Sequence, residues 1–143
     1  VRYYLAARYQ RLEEINQYAK DLRELGHTVD CRWLTGSHQL HPGADKIDQW
    51  HGSNPETPMS AQPFAKDDVD DIAKSNALIA FTEAPYSEKG RGGRHVEFGI
   101  ALASGKEIII IGPRENVFHC LPTVKQYAKW EDFIFKLKEA DHE

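Results

Sequence analysis

A carboxylate follows a glycine-rich turn at Gly90-Arg91-Gly92-Gly93-Arg94-His95-Val96-Glu97. The turn comes after an apolar run, Ala77 to Phe81, and leads into a helix-like run, Val96 to Ser104. A glycine turn between strand and helix brings backbone N–H groups and a helix N-terminus close to a ligand. Glu97 falls in the first turn of that helix, among Val96, Phe98, Gly99 and Ile100. A lone carboxylate in apolar company is costly unless it is paired or working. Glu97 is therefore the first candidate for chemistry. The competing reading is a solvated carboxylate favoured by the helix dipole.

Other groups offer weaker signals. Asp67, Asp68, Asp70 and Asp71 crowd the start of a second helix, where the dipole accounts for most of them. Asp68 stands four residues before Ile72, so it lies toward the buried side, while Asp71 is expected to face water. Arg8, Arg11, Arg91 and Arg94 fall near one rim, either to hold a phosphate or as solvated surface. His38, His41 and His51 complete no zinc spacing, and no metal or cofactor is expected. Cys31 reads as a strand residue and Cys120 as a buried one, with no His beside either to activate a thiol.

The elements that must position these groups alternate. Arg2 to Ala7 reads as a strand, and Leu12, Ile15, Tyr18, Ala19, Leu22 and Leu25 recur at helical spacing up to Gly26, a helix-ending glycine. Thr28 to Leu34 reads as a second strand, with Val29, Cys31 and Trp33 alternating. A polar stretch, Thr35 to Gln62, is either a lid or contains a short helix near Asp45 to Trp50. Phe64 to Ser75 reads as a helix with Val69, Ile72 and Ala73 inward, then come a strand at Ala77 to Phe81, the glycine turn and its helix. Glu107 to Ile111, Val124 to Ala128 and Trp130 to Glu139 follow as strand, short strand and last helix. The alternation predicts one α/β domain over 1–143, Rossmann-like or flavodoxin-like, with three layers and a parallel sheet of four to five strands. Ligands in such folds sit outside the C-terminal strand ends, here Ala6 to Gln10, Thr82 to Gly93 and Gly112 to Asn116.

The 143 residues carry a formal net charge of −4 and no basic stripe, which disfavours nucleic-acid polymers as partners. No apolar run is long enough to cross a bilayer, no signal peptide is recognisable at Val1, and two cysteines make no disulfide framework. A reduced cytoplasmic setting is expected.

Tyr4-Leu5-Ala6-Ala7-Arg8-Tyr9, then Asp68 with Ile72 and Asn76, then Gly92-Gly93-Arg94-His95-Val96-Glu97-Phe98-Gly99 resemble the nucleoside 2-deoxyribosyltransferase family, which includes relatives that hydrolyse 2′-deoxynucleoside 5′-monophosphates. The resemblance runs to about Pro122. It implies a cytoplasmic enzyme of nucleotide salvage, either a transferase or a hydrolase, which breaks an N-glycosidic bond without a cofactor. It implies Glu97 as nucleophile, Asp68 as the acid near the base, and Tyr4 as the phenol that holds Glu97. Ala6, Arg8, Arg91, Gly92, Gly93 and Arg94 would line the substrate. Asn116 or His119 would complete the site of a neighbouring subunit, making the chain a homodimer or higher homo-oligomer. Phe98 replaces the usual Leu, and Arg91 stands where transferases carry Asp and monophosphate hydrolases Ser. A phosphoribohydrolase resemblance ranks lower, because the Pro, the third Gly and the Thr of that group's turn are missing. The alternative function is a nucleotide-binding sensor without catalysis, although pure binding does not need both carboxylates.

Overall fold

The computed structural model describes residues 1–36, 58–85 and 92–140, with backbone alone at 58–60. The expected helix at Asp45 to Trp50, the histidines at 38, 41 and 51, Arg91, and the tip of the loop after the second strand lie outside the described residues. Strands β1 (Tyr3–Ala6), β2 (Ala77–Phe81), β3 (Glu107–Ile111) and β4 (Val124–Tyr127) form one parallel sheet in the order β1-β2-β3-β4. Helices α1 (Leu12–Glu24), α2 (Pro58–Lys74), α3 (Gly93–Ala103) and α4 (Trp130–Ala140) pack around it. Sheets covered on both faces need strands that are apolar on both sides. Every residue of β1 and β2, and Ile108 to Ile111 of β3, is accordingly buried.

Register sorts the side chains. Tyr4 pairs with Leu78 and Ala6 with Ala80, so these four share one face, and Tyr3, Leu5 and Phe81 share the other. The second face meets α1 and α4. Tyr18 of α1 stacks on Trp130 of α4 at 4.5 Å between ring centroids and on Phe81 at 5.4 Å. Trp130 Nε1 donates to Asp21 at 3.0 Å, which joins the two helices. The first face belongs to α2 and α3, and there the sheet ends in two alanines. Small side chains at that end leave room above Tyr4.

Thr28 to Leu34 does not form the expected strand. Only one parallel bridge is made, Arg2 to Thr28, and Arg32–Thr35 is a 3-10 turn. The reason is local. Tyr3 N donates to Thr28 O at 2.9 Å, but Leu5 N then donates to the Cys31 thiol at 3.3 Å. The Trp33 indole donates to Leu5 O at 2.8 Å. Side chains complete the outer edge of β1, so no ladder is needed there. Counting the bridge as a fifth position, the chain runs outward from β1 and then returns to its other side. The connections therefore change direction between β1 and β2, which opens a crevice at their C-terminal ends.

One helix boundary and the burial of four residues also differ from expectation. α2 begins at Pro58 rather than Phe64; Ile72 is buried as expected, but Val69 and Ala73 are exposed. Cys120 is exposed, not buried. Asp71 does not face water; it is 8% exposed.

Candidate active site

Tyr4 stands at the middle of β1 and is fully buried on the α2/α3 face. Its hydroxyl donates to Glu97 Oε2. The glycine turn makes this possible. Gly92 is the N-cap of α3 with φ +86°, a left-handed value that favours glycine. Helix α3 then starts at Gly93, three residues earlier than its apolar run suggests, and Glu97 falls on its second turn over the sheet. Gly92 has no side chain to cap α3, and the His95 amide donates to the Gly92 carbonyl at 3.1 Å.

Burial penalises the Glu97 carboxylate, the Tyr4 hydroxyl partly offsets that penalty, and anionic Asp68 adds to it; the pKa is pushed up from 4.5 to about 8. The Tyr4 phenol moves the same way, through burial and the two nearby carboxylates, Glu97 and Asp68. Tyr4, Asp68 and Glu97 therefore form one electrostatic unit.

The acidic cluster on α2 separates into roles. Asp71 accepts the Arg32 backbone N–H at 2.9 Å and its Nε at 3.1 Å. The Arg32 guanidinium also pairs with Asp67 at 3.1 Å and Asp70 at 2.8 Å. One arginine thus gathers three aspartates on one side of the helix, and Asp68 is left on the side of Glu97. The inward burial of Asp71 follows from this clamp. A carboxylate loses water readily when a backbone amide and a guanidinium replace it.

Among the described residues, the rim arginines are paired with carboxylates. Arg8 pairs with Glu83 at 3.2 Å, and Arg11 with Glu83 and Glu14 at 2.8 Å each. Arg94 turns inward; its side chain is 4% exposed and its Nη2 donates to Glu115 Oε2 at 2.8 Å. Burial alone would raise the Glu115 carboxyl, but Arg94 and the Glu83 amide bring it below its ordinary value. His119 is also buried, and its Nδ1 accepts the Glu115 backbone N–H at 3.0 Å. This histidine serves its own fold and is not presented to a second subunit. Asn116 is exposed and caps the turn Val117–Cys120 by accepting the Phe118 N–H. Ala6 lies in the floor beside Ala80, and Gly92 and Gly93 lie at the helix start.

Glu83, Glu115 and Arg32 are the participants that sequence reasoning passed over. Glu83 and Glu115 fall within the strand-end segments, Thr82 to Gly93 and Gly112 to Asn116, but nothing in their local pattern names their partners. Among the described residues, no group of three or more His, Cys, Asp or Glu is arranged to hold a metal, and no helix is long and apolar enough to cross a membrane.

No protein-family model matches the chain, and no curated protein does so by sequence. Solved structures do. A CMP N-glycosidase from Clostridium botulinum is 24% identical, with 96% of this chain and 99% of that one aligned at a TM-score of 0.60. A 2-deoxyribosyltransferase from Bacillus psychrosaccharolyticus is 17% identical, over 94% and 90% of the two chains, at a TM-score of 0.65. The chain therefore has, over nearly its whole length, the single-sheet α/β fold shared by an N-glycosidase and a deoxyribosyltransferase.

Proposed function

We propose that this chain is an enzyme of the nucleoside 2-deoxyribosyltransferase family and that it cleaves the N-glycosidic bond of a 2′-deoxynucleoside or its 5′-monophosphate. The observation that carries the reading is the hydrogen bond from buried Tyr4 to Glu97, at the crevice where the strand connections change direction and with Asp68 facing it. The two structural neighbours, one named for an N-glycosidase and one for a deoxyribosyl transfer, support the same chemistry.

In this reading Glu97 is the nucleophile and Tyr4 holds the attacking oxygen in line. At neutral pH Glu97 holds a proton, with the Asp68 carboxyl beside it. The departing base needs one proton. Asp68 relays it from Glu97 to the base nitrogen as the C1′–N bond breaks. Glu97, now ionised, stabilises the positive charge that develops on the sugar and closes the C1′–O bond. A second base attacking that ester completes transfer, and water completes hydrolysis. The alanine floor, Ala6 and Ala80, leaves room for the sugar. Gly92 and Gly93 bring backbone amides near its oxygens, and Arg91, with Arg8 exchanging its Glu83 partner, supplies charge for a 5′-phosphate. Asn116, with exposed Val117 and Phe118 beside it, is the part of its turn open to a second copy of the chain.

Incubation of a nucleoside and nucleotide panel, with and without an acceptor base, tests this by chromatography. Free base should appear with the wild-type chain, and Glu97→Gln should release at least about 1,000-fold less, the scale expected when a covalent nucleophile is removed. Full activity of Glu97→Gln would remove the nucleophile, and nucleotide binding without any base release would make the chain a sensor.

A further inference from the structure

Arg94 and Glu97 stand three residues apart on α3, so their side chains are neighbours on the helix surface. A guanidinium so placed would ordinarily pair with the carboxylate. Here it does not. Arg94 turns to the other side and donates through both terminal nitrogens to Glu115, in the forked geometry that suits a carboxylate.

Glu115 is itself fixed from three directions. Its Oε1 accepts the Glu83 backbone N–H at 2.9 Å, which ties it to the segment leaving β2. Its own N–H donates to His119 Nδ1 at 3.0 Å. His119 packs on Phe98 of α3 at 4.9 Å between centroids. An imidazole that accepts at Nδ1 is neutral with its proton on Nε2, and burial lowers the His119 pKa in the direction that keeps it so. His95 Nε2 lies 4.0 Å from Glu115 Oε2 on the outer side.

Among the described residues, the groups that face Glu97 are Tyr4 from β1, Asp68 from α2 and Cys31 from the segment outside β1, with Arg94 and His95 on its own helix. Among the described residues, the protonation of Glu97 is set by burial, Tyr4 and Asp68. The nearby guanidinium does not enter.

We infer that Glu115 is a positioning residue for the reaction, holding the Arg94 cation away from Glu97 while it pins the start of α3 to the loops after β2 and β3. The inference rests on the proposed role of Glu97. A cation paired with Glu97 would stabilise the free carboxylate, occupy the oxygen that must attack C1′, and remove the proton the base requires. Sequestering Arg94 avoids all three effects and still uses its charge to anchor the helix.

The test is the alkaline limb of the kcat/KM profile for base release in wild type, Glu115→Gln and the double variant Arg94→Met/Glu115→Gln. In Glu115→Gln the released guanidinium should move the limb down by about one pH unit or more, as an adjacent opposite charge does. In the double variant, neutral at both positions, the limb should return to its wild-type place. A limb that stays put in Glu115→Gln, or that the second substitution does not restore, overturns the inference. Should Glu115→Gln fail to fold, the double variant decides alone. A limb about one pH unit above wild type would show that Arg94 acts on Glu97 in the native protein, which also overturns the inference. Glu97→Gln measured alongside separates the two levels. Its continued activity removes the nucleophile and this inference together. Its inactivity with an unmoved Glu115→Gln limb removes only the role of Glu115.

Discussion

Replacing Glu97 by Gln should stabilise the protein at alkaline pH and leave it nearly unchanged under acid conditions. The folded chain raises the Glu97 pKa from 4.5 to about 8, and burial is the largest cause. Between these two values the folded chain holds a proton that the unfolded chain has already released. Stability therefore falls as pH rises through that window, and is fully present only below about 4.5. The displacement of about 3.5 pH units, at about 1.4 kcal/mol each, corresponds to about 5 kcal/mol between pH 4 and 9. That is a large part of the roughly 5–15 kcal/mol that holds a domain of this size together. Gln is close in shape to protonated Glu and keeps an oxygen for the Tyr4 hydroxyl, but it cannot ionise. Urea unfolding of wild type and Glu97→Gln at pH 5 and pH 8.5 measures the effect. The two curves should lie close together at pH 5. At pH 8.5 the variant should be more stable by about 4–5 kcal/mol. A difference between the proteins that does not change with pH would refute the reasoning, because it would mean that Glu97 titrates in the fold as it does in the unfolded chain. The cost to the native protein is the expected signature of a site that trades stability for function.

Two further outcomes follow from other contacts. Tyr4→Phe removes the hydroxyl that partly offsets the burial of Glu97, so the alkaline limb of kcat/KM should move upward from about 8, with activity at pH 7 falling about 100-fold; a limb that stays or moves down would separate Tyr4 from Glu97. Gly112→Ala places a Cβ 2.4 Å from Thr82 Oγ1 at a backbone φ of +117°, and should cost about 2–3 kcal/mol in a denaturant melt; a loss below about 0.5 kcal/mol would show that the loop after β3 relaxes without strain.

Much of this protein was legible in local pattern. Ala77 to Phe81 and Ile108 to Ile111 are uninterrupted apolar runs, and they became the body of β2 and β3, with exposed Glu107 opening the latter, because strands buried on both faces are apolar at every position. Gly26 ended α1 as expected, with His27 N donating back to Leu22 O at 3.0 Å. The grouping of Tyr4, Asp68 and Glu97 was anticipated only through the family resemblance, since local pattern singled out Glu97 alone.

What the chain could not declare was who partners whom. Thr28 to Leu34 carries a strand's alternation, but the thiol of Cys31 and the indole of Trp33 satisfied the edge of β1 and made a ladder unnecessary. Asp71 and Asp68 have the same chemistry and near-identical surroundings in sequence; Arg32, 39 residues from Asp71, decides which of them turns away from Glu97. Arg94 reads as a rim cation until Glu115, 21 residues on, draws it inside. Periodicity and glycine placement act over a few residues and are written in the chain. The choice of a charge partner is a competition in three dimensions among burial, hydrogen bonds and distance, and only the folded chain settles it.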